Sequence, residues 1–362
     1  MTGAALTVLA VLVTGAAPQA PRAQELALAG EPVARAGAPV PIFHPGAPVM
    51  LELRLETDFD ALLDDVGEER QYHEAILAWN DPAGHGSPLG LKVKTRGHFR
   101  RDPSNCDFPP LKLNFKKDET AGTPFAGQDK LKLVAHCRSN RGNAQQWVVG
   151  EYLTYRAYNL LTERSFRVQL VQVTYVDAAG RRDPLTRYGF LIEDDDAMAA
   201  RNGCELIEVN AHPLEYSPVA TATLTLFQYM IGHTDWSIYG MHNVKPMMCG
   251  EVYERHYYAV PYDFDFAGII ETPYATPDGG LSIRSVRERL YRGFCRPTEQ
   301  VEAARQAFVA QKEMIYALFR DEAALDGDRR RRALDYLEEF YELLEQPAAF
   351  MKRIGRECRA AD

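Results

Sequence analysis

Between Gly232 and Gly268 the chain reads GHTDWSIYGMHNVKPMMCGEVYERHYYAVPYDFDFAG. Asp235 is followed by Asn243, and an aromatic-rich run, HYYAVPY, leads into Asp263 and Asp265. This order predicts a loop carrying an acid and an amide, then a hairpin, then a strand that delivers two carboxylates. Strand alternation sends Asp263 and Asp265 to one face and Tyr262, Phe264 and Phe266 to the core. Carboxylate and amide oxygens suit Mg²⁺ or Mn²⁺, hard ions that keep open positions for substrate phosphates. Phosphoryl transfer is therefore the first chemistry to expect.

Other chemistries find less in the same stretch. His233 and His242 with Asp235 offer the ligand types of a transition-metal hydrolase, but their spacing matches no standard zinc pattern. There is no GxSxG elbow, and no cysteine adjoins a convincing base.

These groups need strands and helices to carry them. MLELRLET from about Val49, YHEAILAW from Tyr72 to Trp79 and LGLKVKT from Leu89 to Thr95 read as strands. Asp58, Phe59 and Asp60 open a short helix that runs through Leu63. PPLKLNF (Pro109 to Phe115) and DKLKLVAH (Asp129 to His136) are two further strands, each sending Lys to one face and Leu or Val to the other. A helix follows over Ala144 to Thr162, with Glu151 near its middle. A strand lysine held by a helix glutamate is how protein kinases present a cation to nucleotide phosphates. Lys132 stands just before that helix, while Lys112 lies in the PPLKLNF string, and the two compete for the role. Strands over Phe166 to Asp177 and Tyr188 to Glu193 end in four acids, Glu193 to Asp196. Helical patterns then dominate: Thr221 to Ile231, Leu281 to Phe294, Thr298 to Phe319 and Arg329 to Ile354. Sheet plus one helix, then mainly helices around a catalytic hairpin, predicts a two-lobed α+β layout.

Four segments in this order resemble the CotH-like (spore coat protein H) kinase family. They are KVKTRGHFRR from Lys92, PPLKLNF with the KLKL strand and the Glu151 helix, YGFLIEDDD from Tyr188, and HTDWSIYGMHN with VPYDFDFAG. The resemblance spans about Val49 to Phe294 and implies an atypical protein-kinase fold. It has an N-terminal mixed or antiparallel sheet lobe with one helix (47–193) and a mainly helical C-terminal lobe (194–362). It also implies roles. Asp235 accepts or orients the proton of the attacking hydroxyl, and Asn243 with Asp263 or Asp265 holds the metal. Lys112 or Lys132, with Glu151 and Arg96, binds phosphates, and Glu193 lies at the hinge facing adenine. ATP and Mg²⁺ or Mn²⁺ are the implied cofactors, with a protein Ser or Thr hydroxyl as acceptor. A non-catalytic envelope binding protein that keeps the fold is the reading from another class. The common Trp-Asp-x-Asp ending stands here as Tyr262-Asp263-Phe264-Asp265, so the choice of metal ligand stays open between the two acids.

At 362 residues the chain is long enough for two substantial cores, and its 46% hydrophobic and 25% charged residues are ordinary for a globular protein. A net charge of -9 argues against a general nucleic-acid binder. The start, with its apolar run from Ala4 to Val13, fits a signal peptide over 1–23, although no Lys or Arg precedes that run. No later segment has the length of a transmembrane helix. Residues 24–46, rich in Ala, Pro and Gly, read as a linker. Export to the periplasm, cell envelope or medium is the expected destination, and the six cysteines suit it. Six cysteines allow 15 pairings; Cys106 with Cys137 and Cys295 with Cys358 are preferred by position, with buried free thiols as the alternative.

Overall fold

The computed structural model describes residues 1, 40–47, 49–80, 87–208, 211–251 and 254–360. The proposed signal peptide and most of the proposed linker lie outside the described residues. Residues 40–47 do not behave as a loose arm: Ile42 is buried in the barrel core and its N–H donates to the Pro124 carbonyl at 3.0 Å.

Strands β1 (Met50–Thr57), β2 (His73–Trp79), β3 (Leu89–Thr95), β4 (Leu111–Phe115) and β5 (Lys130–Val134) form a meander. The chain then crosses through helix α2 (Gln145–Asn159) to β6 (Val168–Asp177) and β7 (Leu185–Ile192). β7 pairs with β5 and β6, and β6 pairs in parallel with β1 along its whole length, Met50 opposite Leu170 through Thr57 opposite Asp177. The sheet thereby closes into a seven-stranded barrel. Its inner residues, among them Leu55, Leu77, Val93, Leu113, Leu133 and Val173, make one apolar core. β6 is buried on both faces because α2 covers it outside, which is why VQLVQVTYVD shows little polar alternation at its start.

The expected two-lobed protein-kinase-like fold is thus not the one adopted. A closed barrel stands beside a separate three-stranded sheet and seven α-helices among the described residues. Alternation in each strand fixes which side chains face inward, but it is silent on which edges meet, and here closure leaves no edge unpaired. Nor do two cores face each other across a hinge. One apolar cluster runs from Phe190 and Ile192 on the barrel wall, through α2, into the C-terminal helices.

After the barrel come α1's later counterparts; α1 itself (Phe59–Asp64) sits between β1 and β2, its N-terminus capped by Asp58. α3 (Asp195–Arg201) explains the acidic run: Asp194 caps it, and Asp195 and Asp196 occupy the first turn, where the dipole favours them. β8 (Cys204–Leu206), α4 (Pro218–Ile231), β9 (Val244–Cys249) and β10 (His256–Pro261) follow, with strand order β10-β9-β8. α4 is mainly apolar and buried from Thr221 to Ile231, starts at a proline and ends at Gly232 with φ 67°. A Cβ at Gly232 would meet the Tyr336 hydroxyl, so this close approach requires glycine. Residues 281–294, expected to be helical, are irregular. α5 (Thr298–Asp321) matches its pattern, while the expected helix from Arg329 to Ile354 is two helices, α6 (Gly327–Leu344) and α7 (Pro347–Glu357). Pro347 lacks an N–H and disfavours helical geometry at Gln346, which breaks the run.

All six cysteines are paired: Cys106–Cys137, Cys204–Cys249 and Cys295–Cys358. Both preferred pairs form, and three disulfides suit an oxidising environment. Among the described residues, no helix is long and apolar enough to cross a membrane.

Candidate functional site

The β9–β10 hairpin brings the chemistry together. Val244 and Pro261 are register partners, and the Tyr262 N–H donates to the Asn243 carbonyl at 3.0 Å. Asn243 and Asp263, 20 positions apart in sequence, therefore leave the same end of the hairpin. Both take left-handed backbone conformations, φ 51° and 59°, which Asn and Asp tolerate better than most residues. Asp263 and Asp265 lie past the end of β10 rather than on a strand, so alternation is not what aims them. Phe264 between them is fully buried against Tyr155 and Phe227, while Tyr262 and Phe266 are half-buried on the site wall.

Asp235 follows the C-terminus of α4. The loop it opens is closed by the bridge between Ser237 and His242. The Asn243 side-chain amide donates to the Asp235 carbonyl (2.7 Å) and to its Oδ2 (3.1 Å), and His242 Nε2 lies 2.9 Å from Oδ1. Both carboxylate oxygens of Asp235 are thus held while the group stays exposed to solvent.

Beneath these residues lies Arg100, on a single 3₁₀ turn (Phe99–Arg101). Its guanidinium, 7% exposed, reaches three acids: Nη2 to Asp263 Oδ1 at 3.0 Å, Nε to Asp265 Oδ2 at 3.3 Å and Nη1 to Glu151 Oε2 at 3.4 Å. One cation cannot balance three carboxylates. Burial, with Asp263 and Asp235 adding to it against Arg100, pushes the Asp265 carboxyl up to about 6. Burial likewise pushes Glu151 up to about 8, Arg100 opposing and the aspartates adding.

Arg96, Arg100, Asp235, Asn243, Asp263 and Asp265 line one cleft of about 910 Å³. Asn243 Oδ1, Asp263 Oδ2 and Asp265 Oδ1 have no hydrogen-bond partner among the described residues. That hard-oxygen set fits Mg²⁺ or Mn²⁺, which rest on one or two carboxylates and keep waters or phosphates elsewhere. Among the described residues no group of three or more His, Cys, Asp or Glu side chains is arranged to hold a metal, so an ion here would depend on the Asn243 amide as well. His233 is buried with Nδ1 3.0 Å from Gln228 Oε1, and it does not join His242 in a ligand set.

Lys112, Lys132, Glu151 and Glu193 stand outside the cleft lining. Lys132 is bonded to Asp195 on α3, not to Glu151, and Lys245 binds the other oxygen of Asp195 at 3.2 Å. Burial lowers the Lys132 pKa; Asp195 opposes this and Arg96 adds to it. Lys132 and Lys245 both sit over the Tyr262 ring, directly behind the cleft wall. Lys112 is half-buried opposite Lys132 in register, with no acidic partner among the described residues. Glu193 is enclosed rather than open to an adenine: it takes Arg201 at 2.9 and 3.0 Å and the Arg167 N–H at 3.0 Å. Arg96 reaches the cleft with no ion-pair partner among the described residues.

Sequence reasoning missed Arg100, Lys245 and Tyr274, whose hydroxyl donates to Asp265 Oδ2 at 3.0 Å. Arg100 stands in the KVKTRGHFRR string, and nothing in its neighbours marks it as buried. No family model matches the chain, and no curated protein matches it.

Proposed function

We propose that the chain is an exported, metal-dependent phosphotransferase that moves phosphate from ATP to a Ser or Thr hydroxyl of a protein. The observation that carries this reading is the convergence of Asp235, Asn243, Asp263, Asp265 and Arg96 on one cleft from positions up to 169 residues apart. Asp235 orients the attacking hydroxyl and takes its proton, its own carboxylate held by Asn243 and His242. Arg96 grips phosphate oxygens, a task its planar fork suits. Lys132 and Lys245 supply further positive potential through the Tyr262 wall. Mg²⁺ or Mn²⁺ on Asn243, Asp263 and Asp265 would neutralise charge on the transferred phosphoryl group. Arg100 is the positioning residue that keeps both aspartates facing the cleft. Membership of the CotH-like family and export to the cell envelope or medium belong to this proposal, supported by the motif order and by the three disulfides.

A non-catalytic binding protein is the second reading. What favours it is that Lys132, Glu151 and Glu193 are all spent on internal ion pairs. A thermal-shift titration with ATP and Mn²⁺ on the wild type and on Asp265→Ala separates the two. At a ligand concentration 100 times Kd the linkage adds about 2.7 kcal/mol to wild-type stability, and the variant loses most of it. No wild-type shift overturns the enzyme reading. Transfer of labelled phosphate from ATP to a protein hydroxyl, absent in Asp265→Ala, completes the test.

A further inference from the structure

Behind the Arg100 cluster the chain encloses a second, much smaller cavity. It lies between the end of β5, helix α2 and the Cys106–Cys137 disulfide, with Arg100, Asp265 and Tyr274 on its cleft side. It holds about 10 Å³ of space for the centre of a water-sized sphere, enough for one water molecule. Three buried polar atoms without a protein partner belong to residues that line it: His136 Nδ1, Trp147 Nε1 and Glu151 Oε1. His136, Trp147 and Glu151 are 0%, 8% and 2% exposed, so bulk solvent does not satisfy them.

We infer that this cavity is a binding site for a single ordered water, held jointly by His136, Trp147 and Glu151. Buried polar groups are paired in folded proteins, and three orphans around one water-sized space are met most simply by a shared partner. The donor and acceptor types agree. Trp147 Nε1–H can only donate. His136 Nε2 lies 3.3 Å from the Ser139 hydroxyl; with the ring proton on Nε2 the free Nδ1 accepts from the water, and with it on Nδ1 the ring donates to the water instead. Burial pushes the His136 pKa down to about 3, so the ring stays neutral with one nitrogen bare. In the first tautomer the water accepts from Trp147 and donates to His136 and to Glu151, three hydrogen bonds in all. The count also closes with Glu151 protonated, because the water then accepts from Glu151 through its second lone pair.

Trp147 and Glu151 stand four residues apart on one face of α2, and His136 follows β5. The water therefore ties the helix to the end of the barrel. It holds Glu151 Oε1 while Oε2 faces Arg100, fixing the carboxyl that Arg100 leans on. This inference does not depend on the phosphotransferase reading.

Crystals of the wild type and of Trp147→Phe, at a resolution where ordered waters are defined, test it. The wild type should show one solvent peak about 2.6–3.2 Å from all three atoms. In Trp147→Phe that peak should fall below half its wild-type occupancy. NMR of the wild type alone gives a second readout, independent of how the variant folds: the Trp147 indole N–H should show cross-relaxation with a long-lived water. The Arg100 Nη1–H resonance should shift in Trp147→Phe, since the Glu151 carboxyl facing it is no longer fixed. No peak at this position, an undiminished peak in the variant, or an indole N–H without a water contact would each overturn the inference.

Discussion

Replacing Arg100 by methionine, of similar length but uncharged, should destabilise the protein in a strongly pH-dependent way. Arg100 is the counter-charge for Glu151 and Asp265, which are 2% and 6% exposed; the Asp263 side chain, at 37%, is largely solvated and adds little. Removing one partner of a buried ion pair costs about 3–5 kcal/mol, because the other charge is left uncompensated. Both acids already hold their protons more tightly than usual, at about 8 and about 6. A carboxyl with a raised folded-state pKa penalises the native state as pH climbs through that range, since the native state binds more protons than the unfolded chain. Arg100 lowers both values, so without it they rise further and the penalty at pH 8 grows. At pH 5 both acids stay protonated with or without Arg100, and only lost hydrogen bonds remain, about 1–2 kcal/mol. An unfolding entropy of about 2.1 cal/mol/K per residue over about 320 residues gives about 0.67 kcal/mol/K. The expected loss in Tm is then about 5–7 °C at pH 8 and about 2–3 °C at pH 5. Differential scanning calorimetry at the two pH values measures it, with Arg100→Lys as the control that keeps the charge and loses the fork. Equal losses at both pH values, or a larger loss at pH 5, would refute the charge-balance account.

Two further outcomes follow from the same coordinates. On the proposed reading Mn²⁺ displaces the Asp265 proton below the carboxyl's pKa of about 6, so its affinity should fall about fivefold between pH 6 and pH 5 and level off above pH 7; titration calorimetry showing a flat profile would count against Asp265 as a ligand. Replacing Cys204 and Cys249 by serine opens a 45-residue loop between β8 and β9, which the chain-entropy estimate puts at about 4 kcal/mol; a melting temperature unchanged by the double substitution would show that the β8–β9 cross-link adds nothing.

Local signals explain why some of the site was readable. Asp235, Asn243, Asp263 and Asp265, which line one cleft, stand out in the sequence because acids and amides cluster beside an aromatic strand pair, a pattern contained within 31 residues. Glu193 misled for a physical reason: a carboxylate ending a strand looks the same in sequence whether it faces a ligand or an arginine eight residues on. Lys132 misled similarly, since Asp195 lies 63 positions away and only the packing of α3 against the barrel brings the two together.

Period-two alternation, caps and helical spacing were enough to locate most strands and helices, because those patterns express burial one element at a time. Pairing is different. Closure of β1 onto β6 and the meeting of three acids at Arg100 join residues 51 to 165 positions apart. Such contacts are selected by the free energy of the whole packed chain. No neighbouring residue carries their imprint, so only the tertiary structure decides them.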